Sequence, residues 1–151
     1  MDLNTPQVIN IPQDISLKQP LNPKIYSDIA EQAADYITPK ATFDPRKGKE
    51  IIKNRDANKS TQLRKYYDEL AMWDDKIHRA ADKNTEYQKS APYIHMLKAK
   101  AAYAKGRGHV DDNFIAIFNR LLDQIDSAET LHHAKLFYEA MLGFRKAQES
   151  K

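Results

Sequence analysis

The sequence predicts an all-α protein, a single compact bundle of five to six helices with an extended N-terminal arm. Three observations predict it. Apolar residues recur at three- and four-residue spacing along most of the chain. Capping residues and first-turn prolines stand ahead of several of these stretches. Only four glycines occur in 151 residues, too few for a turn-rich sandwich or barrel. The length suits one domain with a moderate core. We divide it into an arm, residues 1–22, and a helical bundle, residues 23–151.

The arm carries Pro6, Pro12 and Pro20 and has no sustained period. Each proline disfavours helix at the residue before it. Ile9, Ile11, Ile15 and Leu17 give the arm apolar groups to dock with. The first helix starts at Asn22-Pro23, where Asn22 caps and Pro23 occupies the first turn. Ile25, Ile29, Ala33 and Tyr36 or Ile37 share one face, and Thr38-Pro39 stops it. Phe43 to Arg55 is read as a short helix, with Asp44-Pro45 as cap and first turn and Gly48 as a weak point.

Ser60 or Thr61 is expected to cap a long helix reaching about Ala81, with the stripe Leu63, Tyr66, Tyr67, Leu70, Trp73, Ile77 and Ala80. Asp82 to Ser90 reads as a loop. Ser90 then caps, and Pro92 opens, a helix to Lys105 whose stripe is Ile94, Leu97, Ala101 and Ala104. Gly106 is expected to end it in the left-handed conformation. Asp111 or Asp112 caps the next helix, which carries Phe114, Ile117, Phe118, Leu121, Leu122 and Ile125. Asp126-Ser127 breaks and caps again. The last helix carries Leu131, Ala134, Phe137, Tyr138, Met141 and Phe144 to about Ala147.

Composition narrows the function. The chain is 41% hydrophobic and 30% charged, as in a soluble globular protein. No stretch approaches the roughly 18 apolar residues that span a bilayer, and the start lacks the pattern of a signal peptide. There is no cysteine, hence no disulfide framework or thiol nucleophile. The expectation is a cytoplasmic protein away from membranes. There is no P-loop, GxGxxG or nucleophile elbow. The five histidines, His78, His95, His109, His132 and His133, form no HExxH. Asp74-Asp75 and Asp111-Asp112 read as exposed pairs or caps. We therefore expect no enzyme, no cofactor and no metal.

Charge is the informative feature. The net charge is only +3, but it is unevenly spread. Arg46 to Lys65 holds eight cations against Glu50 and Asp56, and Tyr87 to Val110 holds no acid. Within the acid-free interval, Lys98, Lys100, Lys105 and Arg107 crowd the end of a helix. Helical phase puts Lys98 and Lys105 on one side and Lys100, Tyr103 and Arg107 on another. Such cations hold phosphates without reading sequence, and Tyr103 is placed to pack on a sugar or base. The alternative is a solvated, lysine-rich helix end favoured by the helix dipole. Upstream, Lys59, Thr61, Gln62, Arg64 and Lys65 open the long helix, whose free N–H groups suit a phosphate. The alternative there is an ordinary N-terminus with Arg64 paired to Asp68. The other alternative is that the basic segments serve acidic proteins, which makes the chain a helical protein–protein interaction module.

Three blocks carry a resemblance: Lys59-Ser-Thr-Gln-Leu-Arg-Lys-Tyr-Tyr-Asp-Glu-Leu70, Met96-Leu-Lys-Ala-Lys-Ala-Ala-Tyr-Ala-Lys-Gly-Arg107 and Phe137-Tyr-Glu-Ala-Met-Leu-Gly-Phe-Arg-Lys146. In order and spacing they resemble the small subunit of the Csm complex, the type III-A CRISPR–Cas effector. The third block is similar to the family's closing Phe-Phe-Glu-Ala-x-x-x-Tyr-His-Lys, with Phe144-Arg145 in place of Tyr-His. The resemblance spans roughly residues 50–147. It implies a small, helical, non-catalytic subunit stacked in several copies beside the backbone subunits, with the large subunit in the same assembly. Its partners would be the CRISPR RNA, the target RNA and copies of itself. By matching position it marks Lys59, Thr61, Gln62, Arg64, Lys65, Lys98, Lys100, Tyr103, Lys105 and Arg107 as RNA-facing.

Overall fold

The computed structural model describes residues 8–149, so the first seven residues of the expected arm and the last two of the bundle lie outside the described residues. The fold is mostly helical. A π-helical segment, Ile25–Ile29, runs into α1 (Ala30–Tyr36), and a small antiparallel hairpin follows, β1 (Ala41–Asp44) and β2 (Lys49–Ile52). Then come α2 (Ser60–Arg79), α3 (Lys83–His95), α4 (Leu97–Gly106), α5 (Asp112–Asp123) and α6 (Ala128–Glu149). Helix α6 packs against both α1 and α2, α2 against α3, and α4 against α5. Among the described residues, no helix is long and apolar enough to cross a membrane.

The core follows the predicted stripes. Leu63, Tyr66, Leu70 and Ile77 of α2 are buried, as are Phe114 through Leu122 at helical spacing on α5. Helix α6 buries Leu131, Ala134, Phe137, Tyr138 and Met141. Tyr66, Phe114, Phe118 and Tyr138 form an aromatic cluster, with centroids 5.1 to 6.4 Å apart. Burial pushes the Tyr138 phenol well above its usual range, so it stays a donor to the Leu63 carbonyl at 2.6 Å. Phe144 is only partly buried, and Arg145 takes the buried position beside it.

The arm belongs to this core. Ile15 and Leu17 are almost wholly buried, and α5 grips the backbone between them. Arg120 donates to the carbonyls of Ile15 and Gln13 at 2.8 and 2.7 Å. Gln124 donates to the Ile15 carbonyl at 2.9 Å and accepts from the Leu17 N–H at 2.7 Å.

Several expectations change, four of them as follows. The segment Phe43–Arg55 is a hairpin, not a helix. Asp44-Pro45 makes a turn instead of a cap: the Asp44 carboxylate accepts from the Arg46 N–H at 2.9 Å. Gly48, at φ +63, closes the four-residue loop, a conformation that costs glycine little. Thr42, Ile51 and Ile52 favour strand, and Phe43 pairs opposite Glu50. Next, Asp82–Ser90 is helix, not loop. Asp82 caps α3 by accepting from the Thr85 N–H at 3.1 Å, and Tyr87, Ser90 and Ile94 face inward. Third, Pro92 lies inside α3 rather than opening a helix, and the missing N–H precedes a break at Met96 that separates α3 from α4. Last, Gly106 stays helical and Gly108 takes the left-handed turn at φ +79. The Gly108 and His109 N–H groups then close back on the carbonyls of Lys105 and Ala104 at 2.9 and 3.0 Å, the reciprocal pattern that satisfies a helix end.

Two other caps match expectation, while the first helix starts at Ile25 with Lys24, not Asn22, in the cap position. Asp111 accepts from the Phe114 N–H at 3.0 Å. Ser127 and Thr130 cap α6 reciprocally, each hydroxyl accepting from the other's N–H at 3.1 and 2.9 Å.

Candidate nucleic-acid interface

The two basic segments meet along one side of α2. Gln62 and Lys65 of α2 face Lys100, Tyr103 and Arg107 across a cleft of about 280 Å³, with Tyr66 and Ala104 at its floor and His109 at one end. The cleft is open and cationic. Lys100 pairs with Glu69 at 2.7 Å, and Lys65 donates to the Gln62 amide at 3.0 Å. Among the described residues, no carboxylate lies within ion-pair distance of Lys65 or Arg107. The Arg107 guanidinium sits 5.9 Å from the centroid of the Tyr103 ring, and that ring is 69% exposed.

The other predicted residues point elsewhere. Thr61 and Arg64 line a second cleft, about 410 Å³, between α2 and α6, together with Tyr67, Glu139, Gly143 and Lys146. Arg64 lies 3.9 Å from Asp68, the plain surface pair that was the alternative reading. Tyr67 donates to Glu139, and that bond above all lifts its pKa to about 12. Lys59 pairs with Asp56 at 3.2 Å. On α4, Lys98 turns to Asp123 and Lys105 to Asp112 at the α5 side. These pairs are exposed, and such pairs contribute about 0–1 kcal/mol, so a phosphate can compete for each lysine.

The phosphate seat at the start of α2 is filled. Lys59 occupies the cap position with no side-chain cap bond. Instead the Ser60 N–H donates to Glu149 at 2.8 Å, from the far end of α6. That N–H, more than the neighbouring Arg145 and Lys146, holds the Glu149 carboxyl below its usual range. The cap expected from Ser60 or Thr61 is supplied by another helix.

Two residues that build this corner escaped the sequence reading. Asn58 is fully buried at φ 60. Its amide donates to the Ile37 carbonyl at 2.9 Å and to Asp111 at 2.7 Å, and its side-chain oxygen accepts from the Asp111 N–H at 3.1 Å. Its main chain donates to the His109 carbonyl at 2.9 Å. Arg145, 4% exposed, donates to the Asn58 carbonyl at 2.9 Å. One asparagine thus ties the hairpin's exit, the end of α4, the start of α5 and the tail of α6. The available signals were the tolerance of asparagine for left-handed backbone and Arg145, which stands where the resembling closing motif has histidine.

Asp74 is also not the exposed residue expected. It is buried on α2, and His132 of α6 places Nδ1 2.9 Å from its Oδ2. His78 Nδ1 lies 2.9 Å from the Asp74 carbonyl and 3.0 Å from Oδ1. The hydrogen goes to the carbonyl, which leaves Oδ1 without a donor. Potential ligand atoms of Asp74, His78 and His132 lie within 4.8 Å of one another, close enough to hold a cation. Only Asp75 of the Asp74-Asp75 pair fits the surface reading, paired with Arg79 at 3.0 Å.

No curated protein and no solved structure matches this chain. A family does: the one described as Csm2 Type III-A matches residues 45–151, from the hairpin turn through both basic segments and α6. The match covers well over half of the chain and every candidate RNA-facing residue, so this protein belongs to the Csm2 family, the small subunit of the type III-A CRISPR–Cas complex.

Proposed function

We propose that the protein is a non-catalytic subunit that holds the sugar-phosphate backbone of the CRISPR RNA or its target RNA, without reading sequence, and so stabilises the assembled effector. The observation that carries this reading is the α2–α4 cleft, which gathers Lys65, Lys100, Arg107 and the exposed ring of Tyr103. Three cations face one acid, Glu69, so the cleft keeps net positive charge. Backbone contacts of this kind position a strand and carry no sequence information. Thr61 and Arg64 at the α2–α6 cleft, and Lys59, Lys98 and Lys105 at the rims, serve as outlying phosphate contacts. Exposed Met72, Tyr93 and Met96, with Trp73 stacked on Tyr93 at 5.9 Å, offer apolar surface to backbone subunits, the large subunit or a second copy.

The test is titration of a single-stranded RNA over a salt series. Lys100→Glu with Arg107→Glu should weaken binding and flatten the salt slope by about 1.4 for two lost contacts. Asp75→Lys, far from the cleft, serves as a charge control. An unchanged slope in the cleft variant would sink the proposal. If the cleft serves an acidic protein instead, RNA will bind weakly and fail to displace that partner.

A further inference from the structure

We propose that the β1–β2 hairpin is a separate contact for single-stranded RNA, in which Phe43 stacks on an unpaired base while the surrounding cations take the flanking phosphates. The choice of RNA as ligand rests on the reading above, but the site is different and its residues are different.

Four observations support it. First, the hairpin and its exit carry Arg46, Lys47, Lys49, Lys53 and Arg55. Among the described residues, none of these has a carboxylate within ion-pair distance, whereas Lys59, Arg64, Lys98, Lys100 and Lys105 each have one. Three acids stand among or beside these five cations. Asp44 spends an oxygen on the Arg46 N–H, Asp56 pairs with Lys59, and Glu50 lies opposite Phe43 in the hairpin, so the segment keeps a net positive charge. Second, Phe43 is 63% exposed and lines a hollow of about 370 Å³ with Pro45, Ile51, the cations Arg46 and Lys53, and the acid Asp44. An aromatic ring beside a hollow rimmed by cations suits a base joined to phosphates.

Third, the strands pair with each other while most of their side chains face solvent, and no helix packs substantially on them. A two-stranded hairpin standing alone is marginally stable in water, so a ligand that bridges both strands has order to add. Fourth, the hairpin's root is fixed. Asn58 binds the Ile37 carbonyl before the hairpin and the His109 carbonyl after α4. That fixes the chain leaving the hairpin beside the Arg107-Gly108-His109 turn, where the α2–α4 cleft ends. A strand leaving the cleft past Arg107 therefore meets the hairpin's base.

The experiment uses the full chain and a single-stranded oligouridine. Replacing Lys47, Lys49, Lys53 and Arg55 by glutamine should flatten the salt slope by about 2–3. Phe43→Ala should weaken binding on the order of tenfold. Neither should alter helicity or melting, because the hairpin does not support the helices. Amide exchange in residues 41–55 should slow when oligouridine is added. Unchanged slope and exchange in the hairpin would overturn the inference, and the cleft would stand if Lys100→Glu with Arg107→Glu still flattened the slope. Loss confined to the hairpin variants would support the inference and remove the cleft. Oligoglutamate binding as tightly as oligouridine, insensitive to Phe43→Ala, would mark the hairpin as a contact for acidic protein and overturn the inference.

Discussion

At the scale of single residues, the corner that shapes the cleft depends on Asn58 and Glu149. Asn58 makes three side-chain hydrogen bonds while fully buried, and it does so with left-handed backbone at φ 60. Asn58→Ala removes the bonds, leaves buried partners unsatisfied and puts in the left-handed region a residue without the polar side chain that eases asparagine into it. We expect a loss of about 3 kcal/mol. Asn58→Gly loses the same bonds but takes the left-handed backbone freely, so it should be roughly 0.5–1 kcal/mol less damaging than alanine. Urea denaturation followed by circular dichroism measures both, and equal losses would remove backbone strain from the account. Glu149 caps α2 from α6, and its folded pKa is lowered from 4.5. A lowered carboxyl contributes stability above its unfolded value and loses it as pH falls through the folded one. Glu149→Ala should therefore cost about 1 kcal/mol at neutral pH. The gap between wild type and variant should close as the pH drops below the ordinary glutamate range. A gap that persists in acid would show that Glu149 acts by packing.

At the scale of elements, what the sequence shows depends on how local the cause is. Helices α2, α5 and α6 are legible because their buried stripes repeat every turn, and Asp111 and Ser127 announce their starts. The hairpin is not, because Asp-Pro suits either a helix start or a turn. Only the pairing of Thr42 with Ile51 and of Phe43 with Glu50 decides between them. Helix α3 hides its face because one of its inward positions is Ser90, which does not count as apolar. Gly108 rather than Gly106 ends α4 because the helix runs on to Gly106 before closing. The same rule governs the candidate site. That Lys100, Tyr103 and Arg107 share a face follows from helical phase alone, and the cleft gathers them on that face. Which acids meet the lysines does not follow: Glu69 reaches Lys100 from 31 residues away, and Asp123 reaches Lys98 from 25. The division of the first basic block between two clefts is likewise visible only once α4 and α6 lie on opposite sides of α2.

At the scale of the whole molecule, the family match and the folding unit have different boundaries. The match begins at residue 45, yet Ile15, Leu17, Ile25, Ile29, Ala33 and Ile37 all lie in the core ahead of it. The π-helical segment and α1 pack on α6, the helix that also packs on α2, and Arg120 of α5 with Gln124 at its end holds the arm's backbone at Ile15. Truncating one buried leucine or isoleucine to alanine costs about 2–5 kcal/mol, against a total stability of about 5–15 kcal/mol for a domain. Ile15→Ala with Leu17→Ala in the full chain should therefore remove at least about 4 kcal/mol. A fragment of residues 45–151 should lose its cooperative melt and bind a dye for exposed apolar surface, while keeping much of its helical signal. The hairpin supplies the control. Shortening its loop removes residues of the matched region without uncovering the core, so the melting temperature should hold. A fragment that melts like the full chain would mean that arm and α1 only cover a core complete without them. A full-length Ile15→Ala, Leu17→Ala variant with wild-type stability would say the same of the arm alone. If both lose stability as expected, the small subunit in this chain is a bundle closed by its own N-terminus, and the cleft between α2 and α4 inherits its rigidity from that closure.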